Sequence, residues 1–473
     1  RSYEGNYSEN PDEASEKRSH NHKRTKGSNK KQQPHIIYIL ADDLGWNDVS
    51  WHNPLVKMPH LHNLAKQGVI LEQSYVQPIC GPSRAALMTG RYPYTIGRQA
   101  SGIKPLQPTG VDLSAMFLPE ALKKAGYQTH MIGKWHLGFC RDEYTPTGRG
   151  FDSFYGFYAG HSNYYSHRVM GGFDFHDANV HGNTRQPLDI EGKYSTYVFA
   201  DRVDEILVQR NPRAPLFLYY SFQSVHKPLQ VPKSYERSYK NIKNENRRTF
   251  LGMTTAMDEA VGRLIKSLKR TGHYDNSIIV FSTDNGGPAK ESGGANNWPL
   301  RGVKGTLFEG GIRGPAFIHS PLLPNPGTVS HQVGNYKLVM GNVVLNNRGR
   351  HRKDIWYFPP EGVGSFTETL NFIQNRLQSP VDTSLRTEKN FKYLKNRSVK
   401  RIMKSDVPMF LFNITADPSE LDNLSHREPG KLEELLSRLK EELTRVVKPD
   451  EPRQVERGHP KRNAANILTS GWC

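Results

Sequence analysis

The sequence predicts an α/β protein with a large, mostly parallel sheet flanked by helices and a smaller C-terminal α+β subdomain. Strand-like apolar runs alternate with helical stretches from His35 to about Leu323, and several runs end in polar or charged residues. Beyond them, short apolar runs and one amphipathic stretch predict the smaller subdomain. A chain of 473 residues can bury a core of this size.

Three continuous apolar runs have the length of buried parallel strands. They span His35 to Leu40, Leu216 to Ser221 and Ser277 to Ser282. Shorter strand-like runs lie at Gln128 to Ile132 and Ala316 to His319. These runs are expected to form the central part of the sheet.

Two segments carry helix signals. The stretch from Pro82 to Thr89 has proline near its start and Gly90 after its end, which favours a helix. Such a helix would place Arg84 one turn after Cys80. From Lys431 to Val447, leucine or valine recurs every three or four residues, which predicts a closing amphipathic helix.

Oxygen-rich side chains follow two of the predicted strands. Asp42 and Asp43 follow the first, and Asp284 and Asn285 follow the run that ends at Ser282. Open α/β sheets bind ligands at the carboxyl ends of their strands, although aspartates there also serve as turn-formers or helix caps. Three carboxylates and an amide, with no paired His or Cys, suit Ca²⁺ or Mg²⁺ rather than zinc.

Basic side chains follow other predicted strands. Lys134 and His136 are two residues apart, so an extended chain would place both on one side, where they could bind an anion. The alternative is an exposed lysine and a core histidine. His226 follows the run that ends at Ser221, and Lys304 lies in a glycine-dense turn before Ala316.

The run from Cys80 to Arg91, CGPSRAALMTGR, is similar to the signature of the sulfatase family. The segment from Gly126 to His136 resembles that family's second signature. In this family the cysteine is oxidised during synthesis to formylglycine, an aldehyde whose hydrate attacks the sulfur of a sulfate ester. The alternative for Cys80 is a small buried thiol.

The resemblance implies a complete site for hydrolysing sulfate monoesters. It implies Ca²⁺, with Mg²⁺ left open by the residues alone, bound by Asp42, Asp43, Asp284, Asn285 and the modified Cys80. Lys134, Lys304 and Arg84 would stabilise charge on the sulfate. His226 would protonate the departing alcohol, and His136 or a metal-bound aspartate is the candidate base that releases sulfate.

The resemblance also implies an alkaline-phosphatase-like fold and a substrate class. Residues 41–49 (ADDLGWNDV) and 148–152 (GRGFD) are most similar to the arylsulfatase B-like group, which removes the 4-sulfate from N-acetylgalactosamine. A sulfated glycosaminoglycan or an aryl sulfate is therefore the expected substrate, and a formylglycine-generating enzyme the expected partner during synthesis. Two alternatives remain: a phosphatase or phosphonate hydrolase of the same superfold, and a non-catalytic protein that binds sulfated glycans.

The chain divides into four predicted regions. Residues 1–33 form a polar, basic tail expected to be disordered, 34–330 the catalytic domain, 331–450 the small subdomain, and 451–473 a polar tail. Ser330 runs almost directly into Gly334, where the family has a longer segment, so packing around the sheet is expected to change.

The formal net charge is +18, which favours a polyanionic partner. One basic cluster lies between Arg386 and Lys404. A sulfated glycosaminoglycan fits both this charge and the sulfatase-like motifs, whereas no nucleic-acid motif accompanies it. A solvated basic face without a ligand is the alternative.

Several features predict the secretory route, with the lysosome or the extracellular space as destination. Glycosylation sequons begin at Asn6, Asn396, Asn413 and Asn423. Of the three cysteines, conversion of Cys80 would leave Cys140 and Cys473 as a pair or as two free thiols. The N-terminal tail has no signal-peptide character, as in a chain whose leader is removed, and no apolar run has membrane-spanning length.

Overall fold

The computed structural model describes residues 32–289, 293–324, 326–330, 335–340, 409–463 and 465–473. The predicted tail before Gln32, the basic cluster from Arg386 to Lys404, and the sequons at Asn6 and Asn396 lie outside the described residues. Most of the stretch where the family segment is shortened lies outside them as well.

The strands are given in chain order. They are β1 His35–Ala41, β2 Val69–Leu71, β3 Gln128–Lys134, β4 Ser153–Phe157, β5 Arg168–Val169, β6 Gly172–Phe173, β7 His176–Asn179, β8 Thr184–Arg185, β9 Leu216–Ser221, β10 Ser277–Thr283, β11 Phe317–His319, β12 Thr328–Ser330, β13 Tyr336–Met340 and β14 Met409–Asn413. All five strands predicted between His35 and His319 are confirmed, with ends shifted by two residues or fewer.

The α-helices are also given in chain order. They are α1 Pro59–Lys66, α2 Cys80–Thr89, α3 Leu118–Lys124, α4 Ser195–Gln209, α5 Lys233–Glu236, α6 Glu245–Arg270, α7 Glu309–Ile312 and α8 Pro429–Leu443. Short 3₁₀ turns occur at Pro93–Thr95, Asp142–Tyr144, Thr147–Arg149, Leu188–Ile190, Arg237–Tyr239, Glu456–Gly458 and Pro460–Arg462.

Ten strands form one large mixed sheet in the order β12-β2-β11-β10-β1-β9-β3-β4-β7-β8. The five central strands, from β10 to β4, are all parallel to one another. Antiparallel strands β11 and β7 flank this block on its two sides. Because the central strands are parallel, their carboxyl ends meet at one edge of the sheet, which confirms the predicted architecture.

Helices cover both faces of the central sheet. On one face, Ile37, Ile39 and Phe281 of the sheet belong to the same buried cluster as residues of α4 and α6. On the other, Met131 and Phe217 join a second buried cluster that includes Ala85 and Met88 of α2. Burial of each large apolar side chain contributes roughly 1.5–3 kcal/mol, so these two layers fix the positions of the strand ends.

The small C-terminal unit pairs β13 with β14 in an antiparallel sheet and packs α8 against it. The predicted closing helix exists but ends at Leu443 rather than Val447. Only Leu432 and Leu436 of its apolar stripe are buried, whereas Leu443 and Val446 are exposed. The chain leaves the helix through a turn at Thr444 and Arg445, and the Val447 N–H then donates to Tyr94 O at 2.8 Å.

The last part of the chain runs back along the catalytic region and ends in a disulfide between Cys140 and Cys473. The sequence had left these two cysteines open between a pair and free thiols. Among the residues that the structure describes, no helix combines the length and apolarity needed to cross a bilayer.

Candidate active site

Four parallel strands bring the predicted polar residues together. Ala41 of β1 pairs with Thr283 of β10, so Asp42 and Asp284 leave adjacent strands at the same level. The backbone N–H of Asp284 donates to Ala41 O at 3.2 Å. On the other side of β1, the ends of β9 and β3 lie beside it, where Ser221 pairs with Gly133. The carboxyl edge of the sheet is therefore the candidate site.

Three carboxylates and one amide form the acidic part of the site. Asp42, Asp43 and Asp284 are buried, and the Asn285 Nδ2 donates to Asp43 Oδ1 at 2.7 Å. The backbone N–H of Asp43 donates to Asp284 Oδ1 at 3.2 Å. Burial and next the charge of Asp284 raise the pKa of Asp42, because three carboxylates share a space that excludes water.

This donor set fits a hard divalent cation. Asp42 Oδ1 and Asn285 Oδ1 are buried, and neither has a hydrogen-bond partner among the residues that the structure describes. Ligand atoms of Asp42, Cys80 and Asp284 lie within 4.8 Å of one another, as do those of Asp42, Asp43 and His226. Buried polar atoms normally find partners. The two unpartnered oxygens, one of a carboxylate and one of the amide, are ligands of the kind that Ca²⁺ and Mg²⁺ prefer.

Cys80 is the first residue of α2 and points into the same space. Its Sγ lies 3.3 Å from His136 Nδ1, and burial raises the pKa of the thiol. The helix start is held by Ser83, whose Oγ accepts from the Gln77 N–H at 2.8 Å. A Cβ on Gly81 would lie 2.5 Å from Gly102 Cα, so the signature glycine permits a close approach of two backbones.

Arg84 lies one turn further along α2 and is fully buried. Its Nε donates to Asp284 Oδ2 at 2.9 Å, and its Nη1 donates to Ser221 Oγ at 2.6 Å. The helical spacing that the sequence predicted thus directs Arg84 towards the carboxylates. Through these contacts Arg84 fixes the position of the Asp284 carboxylate.

Two lysines contact different carboxylates of the acidic group. The Nζ of buried Lys134 donates to Asp42 Oδ2 at 2.6 Å. The Nζ of Lys304, whose side chain is 19% exposed, donates to Asp43 Oδ1 at 2.5 Å. Although burial opposes it, the negative charge of Asp43 raises the pKa of Lys304. Lys304 therefore remains cationic, and the charges of both lysines act on Cys80.

His136 reaches Cys80 by a route that the sequence did not predict. The chain does not stay extended after Lys134, because His136 adopts a φ of 62°. Gly102 and Gly160 both approach its ring, where a Cβ at either position would lie 2.5 to 2.7 Å from a ring atom. Burial, and then the charge of Lys134, hold the pKa of His136 well below its usual range.

His226 lies on the open side of the site with its side chain 18% exposed. Its Nδ1 is 2.7 Å from Lys227 O, and its Nε2 is 3.7 Å from Asp43 Oδ2. Since a carbonyl only accepts, Nδ1 carries hydrogen and Nε2 is the nitrogen available for a second proton. Burial first, and Lys304 and Lys134 in addition, lower the pKa of His226 to about 3.

Sequence reasoning missed His161, which lies beside His226. The two ring centroids are 5.9 Å apart and the rings are inclined by 21°. The chain contains 19 histidines, and no motif distinguishes this one. Its position after β4, which is parallel to β3, is a signal that becomes visible only once the strand order is known.

Two predicted glycosylation sites fall within the described residues. Asn413 ends β14, and its Oδ1 accepts from the Ala416 N–H at 3.2 Å. The Asn423 Nδ2 donates to Met409 O at 3.3 Å. Glycosylation at both stays a prediction.

A sequence model of the Sulfatase family matches residues 34–339, which contain every candidate catalytic and metal-binding residue described above. This chain belongs to the type I sulfatase family. Arylsulfatase J of Mus musculus is 38% identical to it over 91% of this chain and 79% of that protein. N-acetylgalactosamine-6-sulfatase of Homo sapiens is 31% identical over 64% of this chain, and the match covers only 60% of that protein.

Solved structures agree with this assignment. The sulfatase is similar to Ps i-CgsB in complex with k-i-k-neocarrahexaose, with a TM-score of 0.66, 29% identity, and coverage of 89% of this chain and 94% of that one. The PsFucS1 sulfatase from Pseudoalteromonas sp. shares the fold at a TM-score of 0.64 and 20% identity over 87% of this chain and 90% of that one. The predicted alkaline-phosphatase-like fold with its C-terminal subdomain is confirmed.

Proposed function

We propose that this sulfatase hydrolyses sulfate monoesters of a glycosaminoglycan, with the 4-sulfate of N-acetylgalactosamine as the first candidate. One observation carries the proposal: Cys80, three carboxylates, two lysines and two histidines meet at the carboxyl edge of the central sheet. A relative named N-acetylgalactosamine-6-sulfatase makes the 6-sulfate of the same sugar the competing candidate.

The proposed nucleophile is formylglycine made from Cys80, whose hydrate attacks sulfur. A divalent cation held by Asp42, Asp43, Asp284, Asn285 and residue 80 would supply positive charge beside that nucleophile. We favour Ca²⁺, with Mg²⁺ as the alternative, because both prefer such oxygen ligands.

Lys134 and Lys304 are placed to bind the sulfate. Both contact carboxylates of the acidic group, and the charges of both lower the pKa of His226, which places the two ammonium groups close to it. Fixed cations aimed at oxygens that gain negative charge lower the barrier to displacement. Arg84 contributes by holding Asp284 in place.

His226 is the proposed proton donor to the departing alcohol. Nε2 is its available nitrogen, but its lowered pKa keeps the ring neutral near pH 7 in the absence of substrate. A bound sulfate monoester would offset the charges of Lys134 and Lys304 and so raise the pKa of His226. Substrate binding would thus prepare the acid. His136, 3.3 Å from Cys80 Sγ, is placed to accept a proton when sulfate is released.

The secretory route is part of this proposal. The disulfide between Cys140 and Cys473 is typical of proteins made in an oxidising compartment. The same compartment would supply the formylglycine-generating enzyme, and the lysosome or the extracellular space would be the destination.

The test is to produce the chain with a formylglycine-generating enzyme, measure the mass of the peptide containing residue 80, and assay sulfate release. We expect the aldehyde mass and turnover of an aryl sulfate and of N-acetylgalactosamine 4-sulfate, all lost in Cys80→Ala. Preference for the 6-sulfate would replace the substrate while keeping the reaction. Complete conversion to the aldehyde without release of sulfate from any ester would contradict the proposed function.

A further inference from the structure

His161 extends the candidate site outward from His226. Its side chain is exposed, whereas that of His226 is mostly buried, so the two rings form a step from the interior to the rim. The rings are nearly parallel, with centroids 5.9 Å apart. Within the described part of the chain, neither ring nitrogen of His161 has a hydrogen-bond partner.

The backbone on both sides of His161 is held in place. The N–H groups of Tyr158 and Ala159 donate to the two carboxylate oxygens of buried Asp174 at 3.0 and 2.9 Å. After His161, Ser162 O accepts from the Gln223 Nε2. Gly160 lies against the His136 ring, so the loop also touches a residue that contacts Cys80. The exposed imidazole is therefore carried by a fixed loop at the mouth of the site.

The direction of the substrate follows from the proposed roles. If sulfate lies by Lys134 and Lys304 and the bridging oxygen by His226, the remainder of the substrate continues towards the open side of His226. That is where His161 lies. Burial, and next the charge of Lys134, lower the pKa of His161, which favours the neutral ring near pH 7, and a neutral imidazole offers one donor and one acceptor.

We propose that His161 is a specificity residue that hydrogen-bonds a neutral polar group, a hydroxyl or an acetamide, of the sugar bearing the scissile sulfate. This inference rests on the proposed function and deepens it by naming the group that recognises the leaving sugar. A neutral imidazole suits a neutral hydroxyl or acetamide, whereas a second sulfate would favour a cationic side chain.

The test compares kinetics on an aryl sulfate and on a sulfated N-acetylgalactosamine disaccharide. In His161→Ala and His161→Phe, kcat/KM for the disaccharide should fall about tenfold more than for the aryl sulfate, mainly through KM, since one hydrogen bond is lost. His161→Asn, which keeps a donor and an acceptor, should recover most of the loss. If only the shape of the His161 ring mattered, His161→Phe would keep the kcat/KM of the parent on the disaccharide.

His181→Ala is the matched control, because that exposed histidine lies in the turn between β7 and β8, at the opposite edge of the sheet from the site. It should leave both substrates unaffected. An active parent enzyme with equal losses on both substrates, or full recovery by Phe, would overturn the role of His161 alone. A parent that carries the aldehyde and turns over neither substrate would overturn the proposed function and this inference with it.

Discussion

Arg84 joins the motif around Cys80 to a carboxylate far along the chain. Its side chain is fully buried, with Nη2 2.8 Å from Asp284 Oδ2 and 3.9 Å from Asp42 Oδ2. Its Nη1 also donates to Lys134 O at 3.1 Å. The planar guanidinium thus links groups at the ends of four strands, β1, β3, β9 and β10. A lysine has no such fork of donors.

Arg84→Lys should therefore destabilise the fold and abolish activity. The ammonium cannot reach Asp284, Lys134 O and Ser221 together, which leaves buried polar groups unsatisfied and costs on the order of 3 kcal/mol. Urea unfolding monitored by circular dichroism would measure this loss. Arg91→Lys, at an exposed position at the end of the same motif, is the control and should unfold like the parent. Parent-like unfolding of Arg84→Lys would contradict the positioning role.

Cys80 and Arg84 show how much of the site the sequence predicts. The helical spacing from Cys80 to Arg84 was sufficient to place both on one side of α2. It could not predict that Arg84 meets Asp284, because that contact joins residues 200 positions apart through the strand order. His161 was missed for the same reason, since its neighbour His226 comes from a loop after a different strand.

At the scale of elements, a buried charge cluster fastens the small C-terminal sheet to α7, the helix that follows the Lys304 turn. The Lys337 Nζ of β13 lies 2.8 Å from both Glu309 Oε1 and Glu420 Oε1, and both glutamates are fully buried. The Glu309 N–H also donates to Glu420 Oε2 at 2.7 Å, and Tyr75 donates to Glu309 Oε2. One lysine thus serves two carboxylates.

This cluster should make stability depend on pH. Burial is the main cause that raises the pKa of Glu420 from 4.5 to about 7, while Lys337 opposes the rise. The protonated form is therefore favoured by folding: its stabilisation is complete below pH 4.5 and is lost as the pH rises through 7. The parent should lose on the order of 3 kcal/mol of unfolding free energy across that window.

Glu420→Gln should remove this pH dependence, whatever its effect on absolute stability, because the amide does not titrate. Urea unfolding at several pH values between 4.5 and 8 would measure the slope. Glu441→Gln, at an exposed position of α8, should keep the slope of the parent. Identical slopes for the parent and Glu420→Gln would show that Glu420 does not titrate in this range.

Element prediction succeeded where one physical signal dominated. The continuous apolar runs of β1, β9 and β10 needed burial on both faces, and they form the middle of the sheet. Periodicity alone predicted that α8 ends at Val447, whereas it ends at Leu443. The Val447 N–H donates to Tyr94 O, a contact between distant parts of the chain that periodicity does not show. The strands β5, β6 and β8 have two residues each and give no periodic signal.

At the scale of the whole molecule, the C-terminal arm from Val447 to Cys473 returns to the region that backs the site. The Asp450 N–H donates to Gly97 O at 3.0 Å, and Asp450 Oδ2 lies 2.5 Å from the Arg98 Nη2. The Val455 N–H donates to Leu106 O at 2.9 Å. The segment between Gly97 and Leu106 contains Gly102, which packs on the His136 ring, so the arm supports one wall of the site.

The disulfide fixes the far end of this arm, and removing it should weaken the whole molecule. It joins positions 333 residues apart, so it restricts the unfolded chain, and Cys473→Ser should lower the free energy of unfolding by about 2–4 kcal/mol. Thermal unfolding with and without reductant measures this. Reductant should lower the midpoint of the parent to that of Cys473→Ser and leave the variant unchanged. Ser470→Ala removes the hydrogen bond from Ser470 Oγ to Asp142 Oδ1 but leaves both cysteines in place, so it should respond to reductant as the parent does. If the parent keeps its midpoint after complete reduction, confirmed by mass, the bond does not stabilise the fold and the backbone contacts of the arm suffice to hold it.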